Sequence, residues 1–225
     1  MSQYRLVIGN KNYSSWSFRP WLAMKAAGIA FEETLISLEA ADFKARVTAL
    51  SAAGRVPVLI DGDVLVWESL AILEYLADKF PTAGLWPRDA GARAHARAIS
   101  SEMHAGFVPL RRHLPMNMWR PVKPRLLDDS VKADVARIEA IWSGCRTNFG
   151  DGGAFLFGRF SSADAMYAPV VSRFHTYAVE VGDTARAYMR AVMALPAFID
   201  WRDAARSEPW VLPHDEVDWP EVPKE

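Results

Sequence analysis

A single cysteine, Cys145, is the only thiol in 225 residues. One cysteine closes no internal disulfide, and it excludes a Cys-x-x-Cys redox pair, a thiolate zinc site and an iron–sulfur cluster, so no metal is expected. The chain suits a reducing compartment. Charge of one sign is equally scarce: 26 Lys plus Arg stand against 27 Asp plus Glu, a formal charge of -1. Such a balance gives no field to recruit nucleic acid or an anionic membrane surface. No apolar run approaches the roughly 20 residues that a bilayer span requires. The N-terminus, Met1-Ser2-Gln3-Tyr4-Arg5, lacks the basic region, long apolar core and small-residue cleavage site of a signal peptide, and a cytoplasmic location is expected.

What is present is enough apolar material, 51% of residues, to build the core of one large domain or two modest ones. Leu6, Val7 and Ile8, stopped by Gly9-Asn10, read as a buried first strand. A polar patch from Asn10 to Ser15 opens a helix carrying Trp16, Phe18, Trp21, Leu22 and Met24, with Gly28 as its stop. Phe31–Leu38 reads as a second strand and Asp42–Leu50 as a second helix. Val56-Pro57-Val58-Leu59-Ile60, a turn at Asp61-Gly62-Asp63 and Val64-Leu65-Val66 form a hairpin, followed by a helix from Glu68-Ser69 to Phe80 that Pro81 halts. Residues 1–81 thus make a compact α/β domain. Residues 82–92, with Leu85-Trp86-Pro87 in their middle, read as a linker packed by its own aromatic. Residues 93–225 read as an all-helical domain. Periodic stretches run over Ala90–Met118, Asp128–Phe149, Ser161–Val181, Thr184–Met193 and Ala197–Ser207, and a Pro-rich tail, Trp219-Pro220-Glu221-Val222-Pro223, follows.

Three local features carry chemistry. Pro57 at the start of a short strand cannot donate to a ladder. Its bond to Val56 is either an ordinary trans bond or a cis bond that turns the Val56 N–H and C=O outward, free to pair with an extended peptide-like ligand. Glu68-Ser69 stands at a helix start, where unpaired N–H groups and the positive dipole end favour a carboxylate, or where serine simply caps. Ser14-Ser15-Trp16-Ser17-Phe18-Arg19 lies at the mouth of the first helix, where a hydroxyl and backbone N–H groups can stabilise an anion, unless these serines too are caps. Ser161-Ser162-Ala163-Asp164 reads as a capping box with a structural role, Ser161 as N-cap and Asp164 reaching back to the backbone. Cys145, near Ile141 and Trp142, reads as core.

The conjunction of Ser14 to Arg19 with Gly54-Arg55-Val56-Pro57-Val58-Leu59, Glu68-Ser69-Leu70-Ala71-Ile72-Leu73-Glu74-Tyr75-Leu76, Leu85-Trp86-Pro87 and Gly158 to Asp164 resembles the cytosolic glutathione transferase superfamily. That resemblance covers nearly the whole chain and implies a thioredoxin-like N-terminal domain followed by an all-helical one. The paired serines with Ser17 and Arg19 look most like the zeta class, which includes maleylacetoacetate isomerases and has Cys where Trp16 stands here.

The resemblance implies glutathione as cosubstrate, bound at Arg55, Val56, Pro57, Glu68 and Ser69: Val56 pairs with the cysteinyl backbone, and Glu68 and Ser69 hold the γ-glutamyl amine and carboxylate. The thiol then lies near Ser14 and Ser15, the two candidates for a catalytic hydroxyl. Ser14 is favoured, because the zeta pattern places the activating hydroxyl there, although Ser15 matches the spacing to Arg19 used in other serine classes. A pocket for a small electrophile is expected between the domains, among Trp16, His104, Phe107 and Arg111, with Glu102, Met116, Asn117 and Trp119 nearby. His104 is read as packed or solvated sooner than catalytic. Arg173, on the helix after the capping box, sits about one turn earlier than the zeta-class arginine that helps bind dicarboxylates. A glutathione transferase is expected, working by conjugation, peroxide reduction or cis-trans isomerisation. The alternative is a non-catalytic interaction module with the same fold, as in the stringent starvation proteins. A homodimer is the family expectation, with no nucleic-acid or membrane partner.

Overall fold

A computed structural model describes residues 3–217; the Pro-rich tail Trp219-Pro220-Glu221-Val222-Pro223 lies outside the described residues. The first half runs β1 (Tyr4–Ile8), α1 (Ser15–Ala26), β2 (Glu32–Leu35), α2 (Phe43–Leu50), β3 (Val58–Asp61), β4 (Val64–Trp67) and α3 (Ser69–Lys79). The sheet order is β2-β1-β3-β4, with β1 parallel to β2 and antiparallel to β3, and β4 antiparallel to β3. Leu6, Val7 and Ile8 are all fully buried because β1 is an inner strand covered on both faces. Leu6 and Ile8 join the main core with α1 and α3, while Val7 joins a smaller cluster with Ile36, Val47 of α2 and Val58.

The turns follow from the residues that make them. Gly28 ends α1 in the left-handed region, at φ 67°, a conformation that costs glycine no Cβ clash. Gly62 does the same, at φ 57°, in the β3–β4 hairpin. The second strand is shorter than Phe31–Leu38: one more ladder bond, Ile36 N–H to the Ile8 carbonyl at 2.9 Å, ends it, and the Leu38 N–H turns to the Asn10 side chain at 2.7 Å.

The second half holds α4 (Ala90–Ala105), α5 (Val108–His113), α6 (Asp129–Phe149), α7 (Ser162–Thr176), α8 (Asp183–Met193) and α9 (Pro196–Arg206). The linker segment contains a 3₁₀ turn at Pro81–Ala83, and Leu85 and Trp86 are buried. Asp89 caps α4 by accepting from the Ala92 N–H at 2.8 Å. The expected Ala90–Met118 helix is broken. Gly106 ends α4, Phe107 takes φ 59°, and Pro109 starts a new helix after a residue it holds out of the preceding turn. From Leu114 the chain is irregular as far as Asp128. The Ser161–Val181 stretch also stops early, at Thr176, with Ala178 at φ 47°.

α7 is the buried spine of this half. Its capping box is formed: the Asp164 carboxylate accepts from the Ser161 N–H (2.8 Å), the Ser161 hydroxyl (2.9 Å) and the Leu156 N–H (3.1 Å), all out of contact with water. Phe18 of α1 packs on Phe198 and Trp201 of α9, with ring centroids 5.4 and 4.9 Å apart, so the two halves share one core. No described helix is long and apolar enough to cross a membrane, and no described cluster of His, Cys, Asp and Glu is arranged to hold a metal.

Cys145 is in that core, and burial pushes its thiol pKa up to about 12. The thiolate is the species that reacts. In the folded protein a disulfide reagent such as Ellman's is therefore expected to release no chromophore at neutral pH, and one equivalent once denaturant is added. Prompt release from the native protein would contradict this packing.

Candidate active site

A cavity of about 350 Å³ opens where β3, β4 and α3 meet α1 and α4. Its floor is Val56-Pro57, joined by a cis peptide bond, with Ala53 and Arg55 beside it. Among the described residues, the N–H and C=O of Val56 take part in no hydrogen bond. They form a free edge just ahead of β3, the geometry by which a peptide adds as an extra strand. Arg55 is exposed at the rim.

Glu68 and Ser69 stand opposite. Glu68, at φ 66°, is the cap residue of α3, and the first intrahelical bond is Ile72 N–H to the Glu68 carbonyl at 3.0 Å. The amides of Ser69, Leu70 and Ala71 are thus the unpaired donors of the helix start, carrying its partial positive charge toward the cavity. Ser69 is fully buried, and Arg19 Nη1 donates to its hydroxyl at 3.4 Å. A carboxylate fits at these amides, and an ammonium beside the Glu68 carboxylate.

Trp16 forms the inter-domain wall. The guanidinium carbons of Arg19 and Arg111 lie over its ring at 4.3 and 4.7 Å, and the His104 ring meets it edge-on at 5.1 Å. His104 Nε2 is 3.5 Å from Glu68 Oε2, a contact from α4 to the start of α3. Burial lowers the His104 pKa, and Arg19 and Arg111 lower it further against the pull of Glu68, so the ring is neutral at pH 7. Arg19 is buried, and its pKa sits well below the ordinary value through burial and the neighbouring charges of Arg111 and Arg173. The Nε atoms of Arg19 and Arg111 have no partner among the described residues.

The cavity therefore brings together seven of the sequence-derived site residues: Trp16, Arg55, Val56, Pro57, Glu68, Ser69 and His104. Trp67, the second tryptophan expected to flank the site beside Trp16, also lines it, half-exposed at the end of β4. Phe107 does not line it; its side chain is in the main core. Arg111 touches the site through Trp16 while its guanidinium donates to the Met103 and His104 carbonyls. Arg173 is buried away from the cavity, its Nε donating to the Leu114 carbonyl at 2.8 Å, and burial beside Arg111 lowers its pKa to about 10. Of the neighbours expected with them, Glu102 turns outward to a bidentate pair with Arg137, while Asn117 and Trp119 pack against Asn12 and Tyr13.

Ser14 and Ser15 sit at the mouth of α1, both largely buried, and neither lines the open volume. The Ser14 hydroxyl donates to Ser17 Oγ at 2.7 Å, and Ser17 Oγ accepts from the Gly9 N–H at 3.1 Å. Among the described residues the Ser15 hydroxyl has no hydrogen-bond partner. The Arg19–Trp16–Arg111 stack was not legible beforehand; only its inner half has a local signal, since Trp16 and Arg19 are three residues apart on one helix face.

Comparison with known proteins places this geometry. Residues 13–79 match the glutathione S-transferase N-terminal domain, and residues 128–205 match the glutathione S-transferase C-terminal domain. A probable maleylacetoacetate isomerase from Caenorhabditis elegans is 36% identical over 49% of this chain and 51% of its own. Glutathione S-transferase Z2 of Arabidopsis thaliana is 28% identical over 84% and 88%. The chain thus spans about half the length of the first relative and most of the second. A glutathione transferase homologue from Burkholderia, solved with bound glutathione, has the same fold: TM-score 0.69, 21% identity, 91% of this chain and 99% of that one. With both characteristic domains matched in order over most of the chain, the chain belongs to the glutathione S-transferase family.

Proposed function

We propose that the protein is a glutathione transferase of zeta-like character that uses the ionised thiol of bound glutathione against a small electrophile. The observation that carries this reading is the convergence in one cavity of a free Val56 amide edge, the Glu68 carboxylate and the bare amides of α3. An extended γ-glutamyl tripeptide has matching groups in matching order. Its cysteinyl N–H and C=O pair with Val56, its γ-glutamyl carboxylate lies at the α3 amides beside Ser69, and its ammonium faces Glu68.

A free thiol has a pKa of about 8.5, so only a few per cent is thiolate at neutral pH. A hydroxyl lowers that value as a hydrogen-bond donor to the thiolate, helped by the α1 dipole. In this chain Ser15 is the donor, because its hydroxyl is unengaged while that of Ser14 is committed to Ser17. One charge-assisted bond, roughly 1.5 to 3 kcal/mol, supplies about one to two pKa units. The test is ultraviolet thiolate absorbance against pH with glutathione bound. Ser15→Ala is expected to raise the thiol pKa by about one unit, with a smaller change for Ser14→Ala. Unchanged titration in both variants would remove the serine mechanism.

A second reading, isomerisation of a maleylacetoacetate-like dicarboxylate with glutathione returned unchanged, is favoured by the unpartnered guanidinium nitrogens of Arg19 and Arg111 beside Trp16. Incubation with maleylacetone and a count of residual glutathione separates the two reactions. In both, residues 1–81 bind glutathione, 82–92 connect, and 93–225 supply the electrophile side. A homodimer is supported by the exposed apolar edge Val64, Leu65 and Trp67 of β4. The lone buried Cys145 accords with a cytoplasmic setting.

A further inference from the structure

The loop from Gly9 to Ser15, which delivers Ser15 to the mouth of α1, has no strand or helix ladder of its own. Its internal bonds are short-range: Ser14 N–H to the Asn10 carbonyl at 2.8 Å and Ser15 N–H to the Tyr13 carbonyl at 2.8 Å. Within the N-terminal half, Ser17 Oγ accepts from the Gly9 N–H and the Ser14 hydroxyl, Asn10 Oδ1 accepts from the Leu38 N–H, and Lys11 Nζ pairs with Glu33 Oε1 at 2.7 Å; the other anchors come from the far end of the chain or the irregular segment after α5. Glu208, two residues past the end of α9, presents both carboxylate oxygens to it: Oε1 accepts from the Lys11 N–H at 2.7 Å and Oε2 from the Asn12 N–H at 3.0 Å. Trp201 Nε1 donates to the Lys11 carbonyl at 2.9 Å. Asn12 Oδ1 accepts from the N–H groups of Met118 and Trp119, and the Tyr13 hydroxyl donates to Glu216. Within this set Glu208 is the one ionisable group that grips two successive backbone amides, and bonds to a charged acceptor are about twice as strong as neutral ones.

We propose that Glu208 is a positioning residue for glutathione activation: by clamping the Lys11 and Asn12 amides it sets the loop so that Ser15 meets the sulfur. The inference rests on the glutathione reading above. A hydroxyl must stay within about 0.5 Å of its productive position to keep a short bond to a thiolate. Freeing two adjacent amides three and four residues upstream moves that hydroxyl while leaving the Val56, Glu68 and Ser69 subsites, just ahead of β3 and at the start of α3, in place.

The experiment compares the full-length wild type with Glu208→Ala and Glu208→Gln by circular dichroism, calorimetric titration with glutathione, and ultraviolet thiolate absorbance against pH. In Glu208→Ala the thiol pKa of bound glutathione is expected to rise by about one unit, with affinity at pH 6.5 within about threefold of wild type. Glutamine keeps one acceptor and turns an NH₂ group toward the other amide, so its shift should lie between. An unchanged pKa in either folded variant overturns the positioning role, and should Glu208→Ala not fold, the glutamine variant decides alone. A wild type that binds no glutathione, or binds it with an unperturbed thiol, fails the glutathione reading itself, and the role of Glu208 falls with it.

Discussion

Asp164→Ala is expected to destabilise the protein by roughly 3–5 kcal/mol, since three buried donors lose their acceptor at once and each unsatisfied group costs about 1–3 kcal/mol. The Ser161 N–H, the Ser161 hydroxyl and the Leu156 N–H all converge on this one carboxylate, and no water reaches them. For a chain of this size that corresponds to a fall in Tm of about 6–20 °C. Burial raises the Asp164 pKa to about 6, with the backbone and Ser161 bonds pulling the other way. The folded value then lies above the unfolded one of about 3.9, so between those two pH values the native state holds the extra proton. Stability contributed by this group accordingly falls as pH rises from about 4 to 6, by roughly 2–3 kcal/mol, and levels off above. Asp164→Asn should flatten that slope while losing less stability than alanine. Chemical denaturation of the three proteins across pH 4 to 7 measures both effects. An alanine variant as stable as wild type would show that the box contributes nothing.

Replacing Glu68 by glutamine is expected to weaken glutathione binding roughly 10- to 150-fold, the value of one hydrogen bond to a charged group, about 1.5–3 kcal/mol. The γ-glutamyl ammonium would lose the one carboxylate that lines the cavity among the described residues. Ser69→Ala should cost less, because the α3 amides still face the carboxylate. Calorimetry with the intact protein reads both. The fold should survive in each case, since Glu68 is half-exposed and acts as helix cap through its backbone carbonyl. An unchanged affinity in Glu68→Gln would detach this residue from the amine and with it the orientation assigned to the tripeptide.

Much of this arrangement was legible because it is local. The apolar run of β1, the turn glycines Gly28 and Gly62 and the Ser161–Asp164 box each announce their geometry within a few residues, whereas Pro57 marks the start of β3 without saying which isomer its bond takes. The break at Gly106-Phe107 was missed because helical periodicity continues across it; the signals were Gly106 and Pro109, outweighed by the apolar pattern. The burial of Arg173 against the Leu114 carbonyl, and the commitment of the Ser14 hydroxyl to Ser17, depend on tertiary placement that spacing alone does not encode. The grip of Glu208 on the Lys11 amide joins positions 197 residues apart, and no local pattern marks either end.

The shared core has a consequence for biosynthesis. Phe18 and Trp21 face Trp201, so the thioredoxin-like half leaves the ribosome with its aromatic flank bare until α9 has been made. At roughly 5–20 residues per second, that wait is on the order of ten seconds. During that interval the nascent chain presents a sticky aromatic surface, the kind of client that chaperones hold at the exit tunnel.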